Sequence, residues 1–173
     1  HSSRIVCFEK RPGTAAANQK TIERTCSEIN KQDKRIKIMT ITIAKYKSHG
    51  HVDAVHNTSG INVQTDAVKS VGGLGEYQTP VELLASSLAA CALTVMGLQA
   101  ERAGSDFSDC YAEVGECEED MQEHRVTKFS INFHLKASFD EKLRKRLENF
   151  SRKGCFVGNT LDAEKEFTFT YDL

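Results

Sequence analysis

The run Thr79–Gly104, TPVELLASSLAACALTVMGLQAERAG, constrains this chain more than any other stretch. Thr79 is placed to cap a helix, Pro80 suits the first helical position, and Glu82 completes a T-x-x-E capping box. Arg102 falls in the last turn and Gly104 supplies the stop. Between these signals the residues are apolar on almost every side. Several of them (Ala85, Ser86, Ser87, Ala89, Ala90, Ala92, Gly97) are small enough to let other backbone approach closely. A helix of that kind belongs inside something. Its length also suits a membrane span. Glu82, Gln99, Thr94 and two serines, with no flanking aromatic belt or basic cluster, argue instead for a helix buried in protein.

The 173 residues suffice for one domain with a respectable core, and 39% hydrophobic with 27% charged residues describes an ordinary globule. The net charge of −1 conceals an asymmetry: residues 1–38 hold nine Lys/Arg against four Asp/Glu, and the remainder 14 against 20. Residues 1–38 carry no sustained apolar period, whereas Met39 opens TITIAKY, a good strand. We therefore expect 1–38 to be a leader (a tag, an expression-derived segment or a disordered extension) and 39–173 to be the folded domain. A basic arm for nucleic acid is the functional alternative. The acidic remainder, with no aromatic–basic interleaving, argues against it. Neither nucleic acid nor membrane is expected as a partner.

Thr40–Lys47, Val52–His56 and Ile61–Val68 read as short strands joined by SHG and NTSG turns. A glycine-rich loop, Ser70–Gln78, leads into the long helix. Phe107–Glu116 reads as a strand followed by an acidic turn. In Val126–Ser138, Phe129, Ile131, Phe133, Leu135 and Ala137 alternate onto one face. Asp140 caps a second helix with Leu143, Leu147 and Phe150 at helical spacing, ending near Gly154. Phe167, Phe169 and Tyr171 alternate in a last strand. The expected fold is α+β, antiparallel sheets wrapped around a long buried central helix. Thirteen residues of second helix cannot cover 79–103, so a homodimer is expected.

Six cysteines, at 7, 26, 91, 110, 117 and 155, form no CxxC and no zinc-ribbon spacing. No stretch reads as a secretory signal, so a reducing cytoplasm is the expected location and these are thiols. Cys91 lies on the helical stripe Leu84, Leu88, Val95, Leu98. Taken alone it reads as a small buried hydrophobe. Cys155 follows Ser151-Arg152-Lys153-Gly154, where basic neighbours favour a thiolate. Cys117 sits among carboxylates and reads as inert, Cys110 as a strand core residue, and Cys7 and Cys26 fall in the leader. His49, His51 and His56 lack a fourth ligand at zinc-like spacing, so no metal is expected. VGGLGEY matches neither a P-loop nor GxGxxG, and no cofactor is expected.

The two cysteines read differently as a pair. A glycine-rich loop, then TPVELLASSLAAC with cysteine eleven residues after proline, resembles the OsmC/Ohr family. So does CFVGNTL at 155–161, similar to that family's second motif, commonly C-P-V-x-x-T-L. The resemblance runs from Met39 to Leu173. It implies an intertwined α+β homodimer with active sites at the interface, reducing organic hydroperoxides in oxidative-stress defence. It casts Cys91 as the peroxidatic cysteine and Cys155 as the resolving one, with an external dithiol as reductant. Two departures stand out. Val81 occupies the place of the family peroxidases' glutamate, and Glu82 next to it falls on the opposite helix face from Cys91, suited to the cap. No arginine lies between Met39 and Glu101, and Lys45 or Lys47 is no planar fork. Weakened or altered peroxidase activity is expected. The rival function is a non-catalytic protein holding a small apolar or thiol-reactive ligand in the same interface cavity.

Overall fold

A computed structural model describes residues 40–173, and both the leader expected at 1–38 and the start at Met39 lie outside the described residues. Within them, β1 (Thr42–Tyr46), β2 (Val52–His56) and β3 (Asn62–Thr65) form an antiparallel sheet in that order. The β1–β2 turn uses left-handed backbone at His49 and Gly50, and a Cβ on Gly50 would lie 2.5 Å from the Cβ of Ala67. Only glycine fits such a site without strain. Every residue of β1 is exposed, including Ile43 and Tyr46, so the described residues lay no packed cover over this strand.

The loop that follows is tied from within. Asp66, fully buried, accepts hydrogen bonds from the N–H groups of Ala67 (3.0 Å) and Glu76 (3.2 Å), and its own N–H reaches the Gln78 carbonyl. Burial alone would raise the Asp66 pKa. The N–H donors of Glu76, Leu74 and Ala67, helped by His51, more than offset it and hold the carboxyl below its ordinary range. At Gly73 a Cβ would fall 1.8 Å from the Ala67 carbonyl oxygen, so the closed loop excludes any side chain there. This loop delivers the chain to the first long helix in a fixed place.

That helix, α1 (Pro80–Arg102), begins as the sequence anticipates. Thr79 accepts from the Glu82 N–H and the Glu82 carboxylate accepts from the Thr79 N–H, a complete capping box. Burial departs from expectation. Ala85, Leu88, Ala89, Ala92, Met96 and Ala100 form one buried stripe, while Leu84 and Leu98 stay 36% and 46% exposed. The helix has the length and hydropathy of a membrane span. Among the described residues it is a core helix on a single face only, a face that an all-round apolar sequence does not single out. Leu88 and Met96, both at 0% exposure, contribute about 1.5–3 kcal/mol each by removal of side-chain area from water.

The stripe meets a four-stranded sheet centred on β6 (Arg125–Leu135), the longest strand. Phe129, Ile131, Phe133 and Leu135 point inward, and the polar Ser130, Asn132 and His134 alternate between them. β4 (Tyr111–Val114) and β5 (Glu118–Asp120) pair antiparallel with successive halves of β6. The last strand, β7 (Glu164–Tyr171), runs parallel to β6, so the closing pair departs from the antiparallel expectation. Period-two alternation identifies a strand and is silent on its partner's direction. The strand expected over 107–116 is shorter because Asp109 takes left-handed backbone, φ 65°, just before it. The acidic segment expected as a turn contributes β5 before turning at Met121–His124.

Between β6 and β7 the chain crosses over through α2 (Glu141–Lys153) and a short α3 (Phe156–Thr160). Asp140 caps α2 by accepting from the Leu143 N–H at 2.7 Å, and Leu143 and Leu147 face the core. α1 packs against both of these helices and against β4. Two sheets and a long helix make this the expected α+β fold.

Candidate active site

Cys155 enters the core by way of a tightly bonded turn. Gly154 ends α2, its N–H bonding the Phe150 carbonyl at 2.8 Å. One residue later the chain begins α3, whose N-cap is Cys155 itself, its sulfur accepting from the Gly158 N–H at 3.2 Å. The rest of CFVGNTL fastens this turn. Asn159 donates its side-chain amide to the Lys153 carbonyl at 3.0 Å, and Thr160 donates its hydroxyl to the Phe156 carbonyl at 2.9 Å. Phe156, where the resemblance anticipates proline, stands 84% exposed. The sequence reading missed α3 because a five-residue helix carries no apolar period.

The structure brings the two cysteines of the sequence pattern together. Cys155 is fully buried, Cys91 half-buried, both are free thiols, and Cys91 on α1 lies close enough to Cys155 to act on its ionisation. The Leu88 carbonyl, one turn before Cys91, lies 4.0 Å from the Cys155 sulfur. Burial pushes the Cys155 thiol up from an ordinary 9.0 to about 11, and the neighbouring Cys91 thiol acts in the same direction. The N–H groups of Gly158 and Val157 pull downward and are outweighed. The basic neighbours expected to favour a Cys155 thiolate do not do so. Arg152 turns to the rings of Phe167 and Phe169 (5.8 and 5.3 Å) and donates to the Phe167 carbonyl.

The remaining candidates are placed apart from this pair. The stripe assigned to Cys91 survives only at Leu88: Val95 is half-buried, and Leu84 and Leu98 are exposed. Cys91 therefore sits at the border between the covered and open faces of α1. Cys117 lines a cleft of about 530 Å³ beside the first turns of α1, with Val81, Glu82 and Ser86. Burial and then Glu119 and Glu82 raise its pKa, in keeping with an inert thiol. Burial likewise raises Cys110, half-buried just ahead of β4. His51 and Lys47 both pair with Asp53, at 3.4 and 3.1 Å, and His56 bonds Ser59. These histidines serve the first sheet.

Residues 73–170 match the OsmC family, described as OsmC-like protein. The chain belongs to the OsmC-like family. No curated protein matches it. Among solved structures, this OsmC-like chain is similar to one from Psychrobacter arcticus described as an osmotic stress induced and detoxification response protein. The two are 28% identical with a TM-score of 0.74, over 79% of this chain and 99% of that one. An OsmC-like protein from Mycoplasma pneumoniae shares the fold at 16% identity and TM-score 0.64, over 80% of this chain and 100% of its own. An organic hydroperoxide resistance protein from Elizabethkingia anophelis does so at 15% and 0.59, covering 79% of this chain and all of the other. The expected family and fold therefore stand. The fold is thus shared with a protein described as an organic hydroperoxide resistance protein.

Proposed function

We propose that this OsmC-like chain reduces organic hydroperoxides through Cys91 and Cys155. The observation that carries the reading is their nearness: the Cys155 sulfur lies 4.0 Å from the Leu88 carbonyl, one turn before Cys91 on α1, and Cys91 acts on its ionisation. A Cys91 thiolate attacks the terminal peroxide oxygen, the O–O bond breaks, and the alkoxide leaves with a proton as the alcohol. Cys91 is left as sulfenic acid. Cys155 then displaces hydroxide from that sulfur, giving water and a disulfide, with the resolving thiol already beside its target. An external dithiol returns the pair to thiols and is oxidised in turn.

The apolar setting favours greasy peroxides over hydrogen peroxide. The same setting supports a homodimer, since Leu84 and Leu98 of α1 and Ile41, Ile43 and Tyr46 around β1 remain exposed among the described residues. A second subunit laid there would complete a closed cavity over Cys91. The cycle calls for no metal or cofactor and suits a reducing cytoplasm. With Val81 where the family's peroxidases carry glutamate, turnover should be slow.

The test is peptide mass spectrometry under non-reducing conditions, before and after stoichiometric cumene hydroperoxide. A Cys91–Cys155 disulfide forming within seconds to minutes is the expected result, and Cys91→Ser should reduce turnover to the uncatalysed background with the fold retained. Thiols left unmodified would exchange this reading for a ligand-binding protein of the same fold.

A further inference from the structure

Behind the turn that holds Cys155 lies a hollow of about 230 Å³, lined by Arg152, Gly158, Ala163, Glu164, Lys165 and Phe167. These residues come from the end of α2, from α3 and from the start of β7. None belongs to α1 or β1, the surfaces offered above to a second subunit. The hollow is also separate from the cysteine pair. A Cβ on Gly158 would point inward, 3.4 Å from the Cys155 sulfur and from the Leu88 side chain. The hollow therefore meets the Gly158 backbone, and α3 stands between it and the two sulfurs.

Lys165 is the residue out of place. Phe167, Phe169 and Tyr171 fill the inward positions of β7 and pack on the core. Lys165 takes the next inward position towards the strand's start, half-buried, where one more apolar side chain would extend the core. Its ammonium donates to the Leu161 carbonyl. In the same hollow the Arg152 guanidinium donates to the Phe167 carbonyl at 3.0 Å, above the rings of Phe167 and Phe169. The helix dipole accounts for Arg152, which lies in the last turn of α2. It does not account for Lys165, on a strand. Among the described residues neither cation pairs with a carboxylate.

Glu164 supplies the one carboxylate of the lining. Two cations against it leave a single positive charge to be met. Phe167, Ala163 and Gly158 call for an apolar body. The volume falls below the roughly 300–1,000 Å³ of pockets for drug-sized ligands, so the occupant is small.

We propose that this hollow binds a small organic monocarboxylate, its charged end held by Arg152 and Lys165 and its apolar body laid on Phe167. Arg152 carries a planar fork of N–H donors and spends one on the Phe167 carbonyl, which leaves others for a two-point grip on a carboxylate. Lys165 adds a point charge. A phosphate dianion fits less well, because Glu164 opposes its second charge and it has nothing to lay on Phe167. The site goes beyond the peroxide chemistry and stands or falls without it.

The test is amide NMR of the full chain, labelled with nitrogen-15 and titrated with sodium benzoate into the tens of millimolar against matched sodium chloride. Saturable shifts of the Gly158, Ala163, Lys165 and Phe167 amides are expected. Benzyl alcohol, which lacks the charge, and inorganic phosphate, which lacks the apolar body, should each bind at least about tenfold more weakly. Lys165→Gln should weaken benzoate by about tenfold through loss of a charge-assisted contact, and Lys165→Arg should keep most of the affinity. Shifts that never saturate, that chloride reproduces, or that gather on Leu88 and Cys91 instead would overturn the assignment. Benzoate affinity unchanged in Lys165→Gln would do the same, and phosphate binding tighter than benzoate would remove the monocarboxylate as the ligand.

Discussion

Replacing Leu88 with alanine tests the packing that encloses the cysteine pair. Leu88 is at 0% exposure, its backbone carbonyl faces the Cys155 sulfur, and its side chain stands beside Gly158. The change removes three carbons from a closed site, about 2.4 kcal/mol at 0.8 kcal/mol per carbon. A residual cavity of roughly 50 Å³ adds about 1.2 kcal/mol at 24 cal/mol per Å³. The expected loss is therefore about 3–4 kcal/mol. For the 134 described residues, an unfolding entropy of roughly 0.28 kcal/mol/K converts this to a fall in Tm of about 11–14 °C. The assay is thermal and urea unfolding at one fixed protein concentration, because a dimer's stability depends on concentration. Native-state alkylation of Cys155 should quicken in the variant, because the cavity opens beside that sulfur. Leu88→Met, which keeps the volume, should cost less than about 1.5 kcal/mol and leave alkylation slow. A Leu88→Ala loss under about 1 kcal/mol with Cys155 as slow to react as before would refute the claim that Leu88 seals the pair.

Two further changes probe the frame around the site. Thr79→Ala removes one half of the capping box and should cost about 1 kcal/mol, with Glu82→Gln milder; a loss within error in urea unfolding would mean that the α1 start is held by the Asp66 loop alone. His134 lies between Asp172 and Glu113, stacked on Tyr111 with ring centroids 4.4 Å apart. The Asp172 hydrogen bond, then that of Glu113, raises its pKa above the ordinary 6.5 against the opposing effect of burial. The stability from this raised value is fully present below the unfolded-state pKa and is lost as pH rises through the folded one. Imidazole NMR should therefore place the His134 midpoint above 6.5, and His134→Asn should flatten the pH dependence of stability there; a midpoint at or below 6.5 counts against the clamp.

What was legible in the sequence follows local chemistry. Both helix starts are written in their caps, because Thr79 and Asp140 satisfy backbone donors three residues away. The inward set of β6 is written in its alternation. Less local facts were not legible. α3 spans barely more than one turn, and the parallel partner of β7 depends on the crossover between them. The open face of α1 could not be located from a helix apolar all round. The direction taken by Arg152 was also unreadable: its neighbour in sequence is Cys155, and its neighbours in space are Phe167 and Phe169. Proximity along the chain suggested a charge effect that the turn at Gly154 cancels.

On the proposed function, the cysteine pair separates what the packing supplies from what charge would supply. Meeting of the two sulfurs depends on α1 packing against α3, and that packing rests on Leu88, Gly158 and the tied CFVGNTL turn. None of it needs the glutamate place now held by Val81 or an N-terminal arginine. On the proposed two-cysteine cycle, resolution, the step in which Cys155 meets Cys91, would be built independently of activation, the step that charge accelerates. A chain can lose rate in the second and keep the first intact. Restoring the carboxylate by Val81→Glu separates the two: it should speed reaction of Cys91 with cumene hydroperoxide and leave the rate of disulfide closure, once sulfenic acid is formed, where it was. If closure also changed, the two steps would share a determinant, and the independence argued from the α1–α3 contact would be wrong.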